Sequence, residues 1–234
     1  ILILVVLLII AACFIPRVYQ LKNLENLLRT YAPGGIAAVG LSLVILTGEI
    51  DVSVGAIMTL SMAVAAKIYD LNEPAAIAAI CGTGIAAGLL NGYLITRTRV
   101  PSLMLTIGTT SVFNGLAAIL VRAQKKYITD LYQITLSLAK GSIFGIPIPL
   151  LVCVILALAF EFVLRKSAFG KQIYYTGANK RASWMSGVDI GKVKIICFTA
   201  SGLCAAIAAL LMAGQLGSST VQLGNGYEVT AISI

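Results

Sequence analysis

Long uncharged apolar runs divide this chain, and they constrain its fold more than any other feature. No charged residue lies between Pro74 and Thr96 or between Ser102 and Arg122, and the run from Leu150 to Leu164 carries only Glu161. A helix crosses the ~30 Å hydrocarbon core of a bilayer with about 20 apolar residues. Such a segment satisfies its own backbone hydrogen bonds, which lipid does not. Hydrophobic residues make up 59% of the 234 residues and charged ones 11%, against about 45–50% and ~25% in soluble domains. Mean hydropathy is +0.98. The expected fold is therefore all-α: a polytopic integral membrane protein, multi-pass in the cell (plasma or inner) membrane, with lipid around most of it.

Apolar runs and their breakers predict about seven transmembrane helices, over residues 1–15, 32–47, 52–68, 75–95, 103–121, 150–164 and 195–213. Pro16 stops the first. Leu21, Leu24, Leu27 and Leu28 recur at helical spacing within residues 17–29, which predicts an amphipathic surface helix there. Residues 69–74 and 96–99 read as short loops, 122–149 and 165–194 as longer ones, and 214–227 as a polar tail. The chain begins at Ile1 inside an apolar run and stops at Ile234 inside a new one. One transmembrane domain over residues 1–234, cut at both ends from a longer protein, is expected.

The formal charge is +8, from 17 Lys and Arg against 9 Asp and Glu. The cations cluster between apolar runs, a membrane-topology pattern rather than a nucleic-acid-binding one. Residues 165–194 hold seven of them, Arg165, Lys166, Lys171, Lys180, Arg181, Lys192 and Lys194, against Asp189 alone. That loop is expected in the cytoplasm, with 96–99 and the break at 49–51 on the same side and 69–74 outside. Arg122, Lys125 and Lys126 then fall outside, against the trend. Cys13, Cys81, Cys153, Cys197 and Cys204 lie in apolar runs without metal-ligand spacing, and histidine is absent. They read as small core residues rather than disulfide or metal sites.

Two segments stand out chemically. Gly48, Glu49, Asp51 and Ser53 interrupt an apolar stretch, and carboxylates within a membrane cost about 2.5–3.5 kcal/mol each. The segment reads either as a tight turn, with Asp51 or Ser53 capping the next helix, or as a broken helix lining a solute path. Asn179–Gly187 reads as a short helix, with Asn179 as N-cap and Gly187 as terminator. It is either a headgroup anchor carrying Trp184 or a docking helix presenting Ala182, Met185 and Ser186. Asn91, Thr106, Thr109, Thr110, Ser111 and Asn114 read as path lining or as helix-to-helix glue. Gly82, Gly84, Gly88 and Gly92 form a small-residue stripe suited to close helix packing. No phosphate loop or nucleophile–base pair occurs, so hydrolysis by this chain is not expected.

These same residues carry a resemblance. Ile45 to Gly55, with Gly48-Glu49-Ile50-Asp51-Val52-Ser53-Val54-Gly55 at its centre, resembles the Gly-Gly-Ile-Asp-Leu-Ser-Val-Gly signature of the ribose-type permeases of sugar ATP-binding-cassette (ABC) importers. Asn91 to Ile95, through Pro101 to Thr109, is similar to that family's next block. Gly170 to Asn179, continuing to Val188, resembles its cytoplasmic coupling loop, and Gly226 to Ile232 its Gly-Tyr-Glu-Leu-Asp-Ala-Ile element. Glu49 stands where the family usually has Gly, Lys180 where it has Pro, Arg181 often where it has an acid, and Thr230 where it has Asp. Cations opening a helix oppose its dipole, so the coupling helix is expected to lean on a partner.

The resemblance implies a permease subunit for a monosaccharide or related small polar solute. Its partners would be a second permease copy, identical or not, a cytoplasmic ATP-binding subunit that uses the ATP, and an external sugar-binding protein; this chain would bind no cofactor. Gly48, Glu49, Asp51, Ser53, Asn91, Thr106 and Asn114 would line the path or the broken helix. Asn179, Ala182, Met185 and Gly187 would couple to the ATPase. An ion-coupled secondary transporter working through Glu49 and Asp51 is the alternative.

Overall fold

The computed structural model describes residues 20–68, 72–121, 126–127, 133–219, 224 and 226–233. The expected span 1–15, Cys13, Arg122 and Lys125, and residues 69–71 of the loop 69–74, lie outside them. The described chain is almost entirely helical. Its helices are α1 (Leu21–Leu46), α2 (Val54–Ile68), α3 (Glu73–Arg97), α4 (Ser102–Val121), α5 (Gln133–Lys140), α6 (Ile148–Lys166), α7 (Ala168–Ala178), α8 (Lys180–Met185), α9 (Ile190–Leu216) and α10 (Tyr227–Ser233). Two small antiparallel pairs complete it: β1 (Lys126–Tyr127) with β4 (Ser218–Ser219), and β2 (Ser142–Ile143) with β3 (Ile146–Pro147).

Among the described residues five helices are long and apolar enough to cross a membrane: α1, α3, α4, α6 and α9. The expected third span is α2, only 15 residues long, or about 22 Å at 1.5 Å per residue. It is too short to cross alone, and almost all of its side chains are buried. The seven expected spans are therefore not all seen: the span 1–15 lies outside the described residues, and α2, which follows α1 after a non-helical stretch, is buried along most of its length.

α9 forms the centre, packed between α3 and α1 and also touching α2; α4 packs on α2, and α6 on α1. Ile36, Leu41 and Val44 of α1, Ile57, Met58 and Met62 of α2, Ile80 of α3, and Phe198 and Leu211 of α9 are fully enclosed. α6 instead turns Val154, Ile155, Leu158 and Phe162 outward. That surface is tolerable in lipid and not in water.

The glycine stripe finds its partner at the α3–α9 crossing. A Cβ on Gly84 or Gly88 would collide with the backbone carbonyls of Gly202 or Phe198, and one on Gly92 would lie 2.7 Å from Ile195 Cα. Gly82 does not belong to the stripe: its helical phase points it into open space. Cys81, Cys153, Cys197 and Cys204 are free thiols.

Of the amphipathic surface helix expected over residues 17–29, residues 21–29 are instead the first part of α1, continuous with the span through Pro33; residues 17–19 lie outside the described residues. Proline has no N–H to give the carbonyl four residues back, so Arg29 O loses its helical donor. Gln215 Nε2 of α9 supplies one at 2.7 Å. Gln215→Ala is expected to lower stability by about 1 kcal/mol, the net contribution of one such hydrogen bond at a partly buried acceptor. In a Pro33→Ala background, where the backbone N–H returns, that loss should vanish. Thermal unfolding of the four-member cycle in detergent checks this, and an undiminished penalty would refute the compensation.

Candidate functional site

The site grows from the end of α1. Thr47 closes the helix, and Gly48 takes a left-handed φ of +77°, the conformation that side-chain-free glycine adopts without strain. Gly48 N–H then reaches Ile45 O at 2.9 Å and Glu49 N–H reaches Val44 O at 3.4 Å, satisfying carbonyls that a helix end leaves open. Residues 50–53 run non-helically until α2 begins.

Unpaired peptide groups here would be costly in an apolar setting, and polar side chains of α4 meet them. Ser102 Oγ accepts from Ile50 N–H at 3.1 Å, and Thr106 Oγ1 accepts from Val52 N–H at 3.3 Å. Thr110 Oγ1 donates to Val52 O at 3.3 Å. From α3, Asn91 Nδ2 donates to Ser53 Oγ at 2.7 Å, and Ser53 Oγ donates to Asp51 Oδ1 at 2.6 Å. Asp51 Oδ1 also accepts from Ser53 N–H at 2.8 Å. Asp51, Ser53 and Asn91 are fully buried, and Asp51 Oδ2 and Asn91 Oδ1 have no hydrogen-bond partner.

Asp51 therefore does not cap α2 as the sequence suggested. It folds back on Ser53, whose hydroxyl is already committed to Asp51 and Asn91, while Ser53 O accepts the first helical bond from Ile57 N–H at 2.8 Å. Glu49 behaves differently. Its Oε1 meets Lys180 Nζ at 2.8 Å and Lys194 Nζ at 2.6 Å. Burial pushes its carboxyl up, but hydrogen bonds from Lys180, Lys194 and Ser102 outweigh that and hold it below the usual carboxylate range.

The basic stretch 165–194 is folded rather than looped. Ser167 Oγ caps α7 by accepting from Gly170 N–H at 2.9 Å. Asn179 Oδ1 caps α8 by accepting from Ala182 N–H at 3.0 Å. α8 ends as α1 does: Gly187 has a φ of +81°, its N–H reaches Trp184 O, and Val188 N–H reaches Ser183 O, each at 3.0 Å. Trp184 and Met185 are about three-quarters exposed. A groove of about 230 Å³ lies between α7 and α8, lined by Tyr175, Ala178, Asn179, Ala182, Ser183 and Ser186. Asn179 and Ala182 share it; Met185 and Gly187 do not line it.

Gly48, Glu49, Asp51, Ser53, Asn91 and Thr106 are thus brought together. Asn114 makes no hydrogen bond to them, and its Oδ1 has no partner. Thr109 and Ser111 bond back to their own helix, at Thr106 O and Ile107 O. Lys180, Lys194 and Ser102 were missed as partners of the break. The available signal was that Glu49 and Lys180, both departures from the family pattern, carry opposite charge.

The described chain is a multi-pass helical bundle with polar side chains gathered at the break between α1 and α2. The model of the family described as "Branched-chain amino acid transport system / permease component" matches residues 23–234, and the chain belongs to that family. It is 32% identical over 234 residues to the ribose import permease protein RbsC of Escherichia coli (strain K12), covering 98% of this chain and 73% of that protein. It is 35% identical to the RbsC of Bacillus subtilis (strain 168), covering 97% and 71%. The D-allose transport system permease protein AlsC of Escherichia coli (strain K12) is 33% identical, covering 81% and 58%. No solved structure matches. The resemblance read from the residues and the relatives agree, and the chain is a permease subunit of the cell membrane, multi-pass and not itself an enzyme.

Proposed function

We propose that this chain is the membrane-path subunit of an ATP-driven, binding-protein-dependent importer for a monosaccharide or a related small polar solute. Residues 1–234 form one permease domain, with 165–194 as its cytoplasmic coupling segment. It works beside a second permease copy, a cytoplasmic ATP-binding subunit and an external sugar-binding protein, and binds no cofactor itself. The supporting observation is the polar rim of the break, where Asp51 Oδ2 and Asn91 Oδ1 are buried without a hydrogen-bond partner beside Ser53, Thr106 and Thr110. Acceptors left open in this way are what sugar hydroxyls donate to once the path opens. Asn114 lies two helical turns beyond Thr106 on α4. α7 and α8 stand outside the spans with Tyr174, Tyr175, Trp184 and Met185 exposed, a surface suited to a protein partner. Asn179 and Gly187 fix the ends of α8, and Ala182 and Met185 present its outer surface. Alternating access follows if the ATPases move α8 and the spans rock in response.

The full-length permease, co-expressed with its ATPase and reconstituted in right-side-out vesicles with ATP enclosed and binding protein outside, tests this. Uptake from a radiolabelled monosaccharide panel should require ATP and survive a protonophore. Uptake that proceeds without ATP and collapses with the proton gradient would instead favour the alternative, an ion-coupled transporter working through Glu49 and Asp51.

A further inference from the structure

Glu49 lies in the break, Lys180 opens α8 131 residues later, and Lys194 sits in the first turns of α9; one carboxylate oxygen joins all three. Glu49 is 9% exposed at its side chain and Lys194 13%, while Lys180 is 51% exposed. A second contact seats the same two elements. The last turn of α7 lies so close to the end of α1 that a Cβ on Gly177 would collide with Leu46 O and stand 3.1 Å from Leu46 C. α7–α8 is therefore held to the unwound stretch both by close backbone approach and by a charge pair, each independent of the other. From that stretch, hydrogen bonds lead on to Ser102 and Thr106 of α4 and Asn91 of α3.

We infer that Glu49 is a positioning residue that latches α8 to the broken span, so that movement of α8 displaces the polar rim of the path. This rests on α8 being the ATPase-coupling helix. It also explains how a helix opening on Lys180 and Arg181 is tolerated: Glu49 pairs with the Lys180 ammonium within the chain.

The test uses the full-length permease reconstituted with its ATPase and binding protein, and it reads solute transported per ATP hydrolysed. A purely structural contribution changes how much inserted protein is recovered, not this ratio. Glu49→Gln is expected to lower the ratio at least about fivefold, the lower end of what coupling between sites contributes. Lys180→Met, at a half-exposed side chain whose loss the fold tolerates, should lower it as much. The double variant should lose no more than either alone, because the two act as one unit. Glu49→Asp should recover part of the ratio. Should Glu49→Gln fail to insert, Lys180→Met decides alone. An unchanged ratio in Lys180→Met, or losses that add in the double variant, would overturn the latch while leaving the coupling helix intact. A wild-type protein whose ATPase neither associates nor responds to solute would remove the coupling reading itself.

Discussion

Gly202→Leu is expected to abolish recovery of the folded, inserted protein. Without a hydrophobic drive between helices in lipid, association depends on close van der Waals packing through small residues. At the α3–α9 crossing that closeness is extreme. A Cβ on Gly202 would fall onto Gly84 O and lie 3.0 Å from Gly88 Cα. The obstructing atoms are backbone, so no rotamer change makes room, and the two helices must separate. Overpacking a core costs about 1–3 kcal/mol where neighbouring side chains yield; here the cost should reach or exceed the top of that range. The loss would also spread, because α9 is the helix on which α1, α2 and α3 all pack. Gly82→Leu is the matched control, placed on the same α3 but facing open space, and it should stay within ~0.5 kcal/mol of the parent. Monodisperse yield in detergent, with thiol labelling of the buried Cys197, distinguishes them. Equal behaviour of the two variants would mean that the crossing is looser than its geometry states.

The same crossing marks what the residues could and could not disclose. Apolar runs located α3, α4 and α6 to within about two residues at each end, because lipid leaves a long apolar segment little alternative, but α1 begins at Leu21, well before the expected start at residue 32. The spacing of Gly84, Gly88 and Gly92 announced a close approach, yet nothing local named α9 as the partner or excluded Gly82. Helical phase relative to a distant neighbour decides both. The four leucines near the start of α1 looked amphipathic because Lys22, Asn23, Glu25 and Asn26 alternate with them. The structure extends the span instead, and Arg29 is neutralised locally by Glu25 at 2.8 Å. Asp51 was legible as special but not as to its bonds: its carboxylate turns to Ser53, whose hydroxyl Asn91 engages from 38 residues away. Glu49 was weighed as an oddity next to Asp51. Its meaning depended on Lys180 and Lys194, which only the folded chain places beside it.

The second large effect is expected at Ala182. Ala182 is exposed on α8 and lines the groove between α7 and α8 with Tyr175 and Ala178. Ala182→Asp should leave α8 itself intact. The position lies in the first turn, where a carboxylate is favoured by the helix dipole by about 0.3–1 kcal/mol, and Asn179 continues to cap Ala182 N–H through the backbone. What changes is the surface a partner meets. Burying an unpaired charge at an interface costs about 3–5 kcal/mol, and even the lower figure weakens association more than about a hundredfold. Co-purification of the ATPase subunit with the full-length permease should therefore fail, and solute should no longer stimulate ATP hydrolysis in reconstituted vesicles. Ala182→Ser, similar in size and uncharged, should retain both. The competing role for α8 is a headgroup anchor, for which exposed Trp184 is well suited. An anchor gains or loses little from one more surface charge. Normal association and normal stimulation in Ala182→Asp would therefore assign α8 to the lipid surface and take the ATPase contact elsewhere.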